Sequence, residues 1–324
     1  MAEQRLTMDK VVGYPRVFSE VTLVPIQFMR MVAKNPVATL GKLAILPSKL
    51  LDNIISTCCD IQTIAISFSL VNRSTRKAVD ESLAFQRVSY YALDALVAML
   101  RTHAGSFFTL EDLYNALCSS PSCGSCGNSG SLIWLLECRR CCMPCLRSPE
   151  LLPINEYAAT KLFGISAATL AGLPAVCSEN SWNDYLDFRR LLSFTKVRGV
   201  VVEEAGGEAQ LMARINSTPQ RKAVYESCIS RWTNSERKLR ARWVAAAPLP
   251  YFNRCSGKID NDLFCAGCRW VIQSSEGVYG DETYAKAYRR YNTVYTTSDL
   301  IEHVRTDCPE GQRIWKRYLK ESKQ

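Results

Sequence analysis

Histidine is the scarcest metal-binding or catalytic residue in this chain, with only His103 and His303 among 324 residues. Catalytic zinc sites usually combine histidine or carboxylate ligands with one open coordination position. The zinc-deaminase signature also needs His-x-Glu before Pro-Cys-x-x-Cys, and the residues after Pro144-Cys145 do not complete that second element. We therefore expect a protein that is not an enzyme, with a metal-dependent hydrolase as the weakest alternative.

Long apolar runs and a signal-peptide-like start are also missing from the sequence. No run of about 18 apolar residues occurs, so we expect no membrane-spanning helix. Residues 1–10 mix acidic and basic side chains without an apolar core, which is not the pattern of a secretory signal. These features predict an intracellular protein of the cytoplasm, the nucleus or both.

A long lysine–arginine block is absent as well, although the formal net charge is +9. A positive charge of this size mildly favours acidic partners or nucleic acid. Because the basic residues are dispersed, an ordinary solvated basic surface is the favoured interpretation. Nucleic acid is therefore not the partner that we expect first.

Cysteine, in contrast, is abundant and clustered. Six of the fifteen cysteines lie between Cys123 and Cys145, and Cys265 and Cys268 form another close pair. In a reducing compartment, such close pairs indicate metal ligands rather than disulfides. The clusters therefore predict structural metal sites in the second half of the chain.

The first cluster fits a tetrahedral zinc site built from two Cys-x-x-Cys knuckles. The 15 residues between Cys126 and Cys142 fall within the usual spacing for paired knuckles. We therefore expect the ligands Cys123, Cys126, Cys142 and Cys145, with Cys138 or Cys141 as substitutes. The two spare cysteines would be free thiols or a disulfide. Residues 131–136 would form a strand between the knuckles.

The second cluster combines a Cys-x-x-Cys knuckle with a distant His-x4-Cys pair. The expected ligands are Cys265, Cys268, His303 and Cys308, with Cys255 as a substitute. The alternative is that His303 is a core histidine and Cys308 a cysteine that binds no metal. Since both clusters supply four protein ligands, we expect closed, structural zinc sites rather than catalytic ones.

Residues 46–73 contain the most specific helical pattern in the chain. Pro47 suits a first helical turn, and Leu50, Leu51, Ile54 and Ile55 share one face of the helix that would follow. Further along, Asp60 would cap a second helix, and Arg73 would begin a third. Three short helices bury little apolar surface alone, so a partner would complete this core. An ordinary helical hairpin is the alternative.

This pattern resembles the F-box of fungal F-box proteins. The similarity covers residues 44–85 and is carried by Leu46-Pro47-x-x-Leu50, Ile54-Ile55 and Ser69-Leu70-Val71-Asn72-Arg73. The Cys-x-x-Cys and His-x4-Cys elements resemble the C-terminal part of the same proteins. The resemblance implies a substrate-recognition subunit of a cullin-RING ubiquitin ligase, bringing an unidentified protein substrate to a Skp-type adaptor. The residues that it implies for docking on this adaptor are Leu46, Pro47, Leu50, Ile54, Leu70 and Val71.

The expected fold is mainly α with small β elements. It would comprise a loosely ordered arm (1–43), a three-helix F-box-like module (44–88) and a cysteine-rich domain stabilised by zinc (89–324). Residues 197–202 suggest a strand, and residues 219–244 suggest a helix with an apolar stripe and an exposed basic face. That basic face supports the alternative function, a zinc-ribbon nucleic-acid-binding protein. The basic residues expected on it are Arg221, Lys222, Arg231, Arg237, Lys238, Arg240 and Arg242.

Overall fold

The computed structural model shows a mainly helical protein with small antiparallel sheets, as the sequence predicts. The structure describes residues 39–177, 190–234, 241–242, 244–260, 265–274, 290, 293, 295 and 297–321. They form two compact units, one within residues 21–249 and the other within residues 250–324. Most of the predicted arm lies outside the described residues. The predicted boundary between an F-box-like module and the cysteine-rich part stays a prediction.

Three helical segments follow one another in the region that resembles an F-box. They comprise α1 (Ser48–Asn53) continued by a π-helical turn (Ile54–Cys58), a π-helical turn (Thr63–Phe68) continued by α2 (Ser69–Val71), and α3 (Arg73–Glu81). The Asp60 carboxylate accepts a hydrogen bond from the Thr63 backbone N–H at 2.8 Å, and so caps the second segment. Asn72 and Thr75 form a reciprocal capping box at the start of α3, which fixes the chain direction there.

Three further helices of nine residues each support these segments. They are α4 (Leu83–Tyr91), α5 (Leu93–Arg101) and α6 (Leu110–Cys118). A backbone hydrogen bond of 2.9 Å from Ile61 to Phe108 joins the second segment to the chain just before α6. Ile55, Ile61 and Val79 are almost fully buried, so the inner side of the F-box-like region belongs to the core of this unit.

The first sheet carries the expected strand between the two knuckles. It has the antiparallel order β2 (Arg139–Cys141), β1 (Leu132–Trp134) and β6 (Ala246–Pro248). Ile133 lies opposite Arg140 on one side and opposite Ala247 on the other. The short helix α7 (Met143–Arg147) follows β2 directly. The first cysteine cluster is therefore held at one end of this sheet.

A second sheet and several further helices follow among the described residues of this unit. The strands are β3 (Pro153–Asn155), β4 (Ala175–Cys177) and β5 (Arg190–Ser193), with β5 in the centre. The helices are α8 (Glu156–Phe163), α9 (Ala167–Ala171), α10 (Phe194–Ala205), α11 (Glu208–Ile215) and α12 (Pro219–Asn234). The predicted strand at residues 197–202 is wrong, because this segment lies inside α10. Ser193 caps the helix, and Val197 and Val201 bury one helical face.

The described residues of the unit within residues 250–324 include a hairpin and three helices. Strands β7 (Tyr251–Phe252) and β8 (Ile259–Asp260) pair antiparallel. The helices are α13 (Ala266–Ser274), α14 (Thr297–Thr306) and α15 (Pro309–Glu321). Helix α15 contacts both α13 and α14. Leu300 and Val304 are buried beside three cysteines, so the core of this unit is built around the second cluster.

Candidate metal centres and docking surface

The structure brings the four predicted residues of the first cluster together. The Sγ atoms of Cys123, Cys126, Cys142 and Cys145 all lie within 4.8 Å of one another, and those of Cys126 and Cys142 are 3.5 Å apart. Tetrahedral coordination with metal–sulfur bonds of about 2.3 Å places sulfur atoms about 3.8 Å apart. The first set therefore has the donor type, the number and the spacing needed to hold one metal ion.

Backbone geometry shapes both knuckles of the first set. The Ser125 N–H points to the Cys123 sulfur at 3.4 Å, and the Cys145 N–H points to the Cys142 sulfur at 3.5 Å. Gly127 takes a left-handed φ of 77°, which closes the first knuckle and which a side chain would disfavour. Two backbone donors thus point at sulfur atoms and favour the thiolate form that a metal requires.

A buried arginine links the first set to the rest of its unit. Arg140 is 5% exposed, and its guanidinium donates to the carbonyl oxygens of Ala116, Leu117, Gly130 and Leu249 at 2.5–3.3 Å. Ala116 and Leu117 are in α6, and Gly130 ends the loop of the first knuckle. Arg140 therefore fixes this loop against a helix that packs on the F-box-like region.

The two substitute ligands of the first cluster lie outside the set. Cys138 takes a left-handed φ of 47° before β2, and Cys141 is buried within β2. Successive residues of an extended chain point to opposite sides, so Cys142 faces the first knuckle and its neighbour does not. All fifteen cysteines are free thiols, so the spare pair forms no disulfide.

The thiols of the first set ionise unequally. Burial disfavours the Cys123 thiolate, but backbone hydrogen bonds from Cys126 and Ser125 dominate and lower its pKa to about 7. Burial raises the pKa of Cys142 to about 11 and also raises that of Cys145. Crowded thiolates repel one another, and the positive charge of a bound cation would offset this repulsion and so favour the deprotonated ligands.

The second predicted set is also brought together, and all four of its residues are buried. The Cys308 Sγ lies 3.6 Å from that of Cys265 and 3.7 Å from that of Cys268. The His303 Nε2 lies 3.2 Å from the Cys268 Sγ, so the imidazole presents a nitrogen to the cluster. Three sulfurs and one nitrogen within 4.8 Å of one another can hold a metal ion.

Two glycines let the helices of the second set approach closely. A Cβ atom placed on Gly267 would lie 2.2 Å from the Gly311 nitrogen and 2.8 Å from the Cys308 sulfur. Gly311 also donates its N–H to that sulfur at 3.3 Å. Neither residue belongs to the ligand pattern, although each is within three positions of a predicted ligand.

Tyr295 is a further residue of this centre that the ligand pattern does not reveal. Its ring stacks on the His303 imidazole, with centroids 4.5 Å apart and an angle of 21° between the planes. Burial lowers the His303 pKa, but hydrogen bonding and proximity to the Cys265 and Cys308 sulfurs prevail and raise it to about 9. The stack holds the imidazole in a plane that directs Nε2 at Cys268.

Cys255, the substitute ligand of the second cluster, lies outside the set. It is exposed in the turn between β7 and β8, where its N–H donates to the Asn253 side chain at 2.9 Å. The set found in the structure therefore consists of the four residues that the spacing predicts.

The predicted docking residues lie on the outside of their helical segments. Pro47, Leu50, Leu70 and Val71 are exposed, and Leu46 and Ile54 are half-buried. Leu43, Ile45 and Leu83 are exposed in the same region. We call Leu43, Ile45, Leu50, Leu70, Val71 and Leu83 the exposed aliphatic set. Leu46 and Leu83 also line a groove of ≈ 600 Å³ between α1 and α3.

The predicted basic face of residues 219–244 is only partly described. Arg237, Lys238 and Arg240 lie outside the described residues, as does the side chain of Arg231. The placement of Arg242 on an exposed face is wrong. It is 1% exposed, its guanidinium donates to the Leu146 carbonyl oxygen at 3.2 Å, and burial lowers its pKa. Arg242 is therefore buried in the interior and is not available to contact nucleic acid.

The described part of the chain has no helix that is both long and apolar enough to cross a membrane. Comparison with protein-family models, curated proteins and solved structures gives no match to this chain.

Proposed function

We propose that this chain is an F-box-type adaptor that docks on a Skp-type partner through residues 46–73 and holds a substrate for ubiquitin transfer. The observation that carries the proposal is the exposed aliphatic set. Leu50 is 51% exposed, Leu70 57% and Val71 68%, on segments whose opposite sides are buried. Burying one such half-exposed side chain against a partner contributes about 1 kcal/mol to the free energy of binding.

The contrast between a buried inner side and an exposed apolar outer side supports a docking role for these helices. A surface helix of a globular protein needs one apolar face, which packs on its own core. Here Leu51, Ile55 and Ile64 supply that inner face, and the exposed aliphatic set lies outside it. Exposed apolar side chains mark a protein–protein interface where they form one contiguous patch, and we propose that the exposed aliphatic set forms such a patch.

The cysteine sets support a structural rather than a catalytic role for the remaining residues. Thiolate and imidazole donors in tetrahedral sets suit zinc, and four protein ligands leave no open coordination position. We propose that each set binds one structural zinc ion and that zinc binding contributes to folding. Ubiquitin transfer would then depend on how the assembly positions the substrate, which is a proximity effect.

Binding to a purified Skp-type adaptor tests this proposal. Leu50→Asp with Val71→Asp places two carboxylates where we expect apolar contacts. We expect the double variant to bind at least about 100-fold more weakly, since burying unpaired charges costs several kcal/mol. Biolayer interferometry measures the dissociation constant, and circular dichroism verifies the fold.

Tyr157→Asp is the matched control, because Tyr157 is 69% exposed on α8, far along the chain from the docking residues. It should bind the adaptor as the wild type does. The proposal is wrong if the wild type does not bind the adaptor, or if the double variant and the control bind equally well.

A further inference from the structure

A basic groove lies where helices α8, α11 and α12 meet, and its lining includes no residue of the metal sets and no docking residue. Its volume is ≈ 290 Å³. Its apolar lining includes Phe163, Leu211 and Ile215, and its cationic lining consists of Lys161, Arg214 and Arg221. Its lining combines apolar side chains with cations, which is the composition of a site for an amphipathic anion.

The apolar side chains form the floor of the basic groove, and neighbouring aromatic rings hold it in place. Phe163, Leu211 and Ile215 are buried, and the Phe163 ring contacts those of Phe194 and Tyr225 at centroid distances of 5.8 Å and 6.2 Å. A floor fixed by neighbouring rings and helices needs little rearrangement to accept another apolar side chain. Binding there avoids the entropic cost of ordering the site.

The rim is cationic and is not neutralised by the described residues. Lys161, Arg214 and Arg221 are exposed, and no carboxylate belongs to the described lining. Two nearby cations, in contrast, are paired with carboxylates. The Lys222 Nζ lies 3.9 Å from the Glu226 Oε1, and the Arg198 guanidinium pairs with Glu208. An incoming anion would therefore not have to displace a carboxylate of the described part of the chain from these three side chains.

The first turn of α12 adds to the positive potential. Gln220 and Arg221 lie in this turn, and the Arg221 N–H donates to the Thr218 hydroxyl at 3.3 Å. The N-terminal turn of a 16-residue helix carries partial positive charge that favours anions. Opposite it, Gly164 ends α8 with a φ of 70°, and a Cβ there would come within 3.1 Å of the Arg214 guanidinium. The absence of that Cβ leaves room for the guanidinium at the rim.

We propose that the basic groove binds an acidic peptide segment in which a carboxylate side chain neighbours an aliphatic or aromatic one. A volume of ≈ 290 Å³ is at the lower limit for a small-molecule site, but it suits one or two side chains of a peptide. Arginines form bidentate hydrogen bonds with carboxylates, and the aliphatic part of an arginine side chain covers apolar surface. If the chain is the proposed adaptor, this peptide belongs to its substrate; only that last step depends on the proposed function.

Selection from a displayed library of random decapeptides on the zinc-loaded full chain tests the proposal without any adaptor present. We expect the retained peptides to be enriched in Asp or Glu next to Leu, Ile or Phe. Fluorescence polarisation with the most enriched labelled peptide then compares variants. Arg221→Glu should weaken binding at least about tenfold, equivalent to about 1.4 kcal/mol.

Lys222→Glu is the matched control, since it makes the same charge change one residue along α12 but outside the groove lining. It should alter the dissociation constant less than about threefold at physiological salt, where surface charges are strongly screened. Val224→Asp, a second variant at an exposed groove position, should also weaken acidic-peptide binding at least about tenfold.

Three results would overturn the inference: no acidic enrichment, equal effects of Arg221→Glu and Lys222→Glu, or unchanged binding by Val224→Asp. Displacement of the peptide by oligothymidylate at lower concentration than by unlabelled peptide would assign the groove to nucleic acid instead. Loss of adaptor binding with retained peptide binding would contradict only the proposed function, so the two proposals can fail separately.

Discussion

Gly267→Ala should disrupt the second metal centre without touching a ligand. The added methyl group would lie 2.2 Å from the Gly311 nitrogen, about 1.2 Å short of ordinary van der Waals contact. The obstacle is the backbone of α15, so a side-chain rotation cannot relieve it. Helix α15 must move away from α13, and Cys308, one residue before α15, would move with it.

The expected loss follows from this displacement. Overpacking of a well-packed contact costs about 1–3 kcal/mol, and disturbing groups that support metal ligands costs about 10–100-fold in metal affinity. With one zinc ion in each set, as proposed, we therefore expect the variant to release one of the two ions at chelator concentrations that leave both bound in the wild type. Elemental mass spectrometry gives the zinc content, and a chromogenic chelator gives the release curve.

Gly199→Ala is the matched control for this experiment. Gly199 lies inside α10, and a Cβ there meets nothing within 4 Å. Alanine at this position should stabilise the helix by up to about 1 kcal/mol and leave both zinc ions in place. Two tightly held zinc ions in Gly267→Ala would refute the close-approach argument.

Three further predictions concern the unit that contains residues 39–249. Arg140→Met should lower the free energy of unfolding by about 3 kcal/mol in urea titrations, because four carbonyl oxygens lose a charged donor. The control is the neighbouring Arg139→Met, which breaks a partly exposed ion pair with Glu137 and should lower the free energy of unfolding by less than about 1 kcal/mol. Burial raises the pKa of Asp94, so the folded state disfavours its ionised form and loses stability as pH rises above 3.8, the unperturbed value. Asp94→Asn should therefore raise the melting temperature at pH 7 but not at pH 3.5, and an equal gain at both would contradict the burial argument. Cys142→Ser should reduce the zinc content from two to one, whereas Cys138→Ser should leave it at two; equal zinc loss would show that the ligand set is wrong.

Local spacing predicted much of the candidate metal centres. Two cysteines three positions apart are brought together by a single tight turn, so each knuckle can be identified without knowing the fold. The distant partner His303 was also predicted, because its spacing to Cys308 suggested a second ligand pair. Choosing Cys142 over Cys141 relied on knuckle spacing, and the structure adds the reason that extended neighbours face opposite ways.

Contacts between distant segments were not predictable in the same way. Gly267 approaches Gly311 because α13 and α15 pack together, and Tyr295 reaches His303 from the segment just before α14; neither pair has a local sequence pattern. The wrong strand at residues 197–202 has a different cause. Valine favours strands intrinsically, but capping by Ser193 and burial of Val197 and Val201 one turn apart determine the helix.

The two metal centres bear differently on the proposed docking surface. The first set shares a compact unit with the F-box-like region, and Arg140 connects its knuckle loop to the last turn of α6. Helix α6 in turn contacts the π-helical turn Ile54–Cys58, which continues α1 and its exposed Leu50. A continuous chain of packed and hydrogen-bonded groups thus runs from the first metal centre to the docking residues.

The second set lies in the other compact unit and stabilises a core of its own, with Leu300, Val304 and Cys308 at its centre. Ordering of the docking helices should therefore depend on the first metal centre, while the second one stabilises α13, α14 and α15.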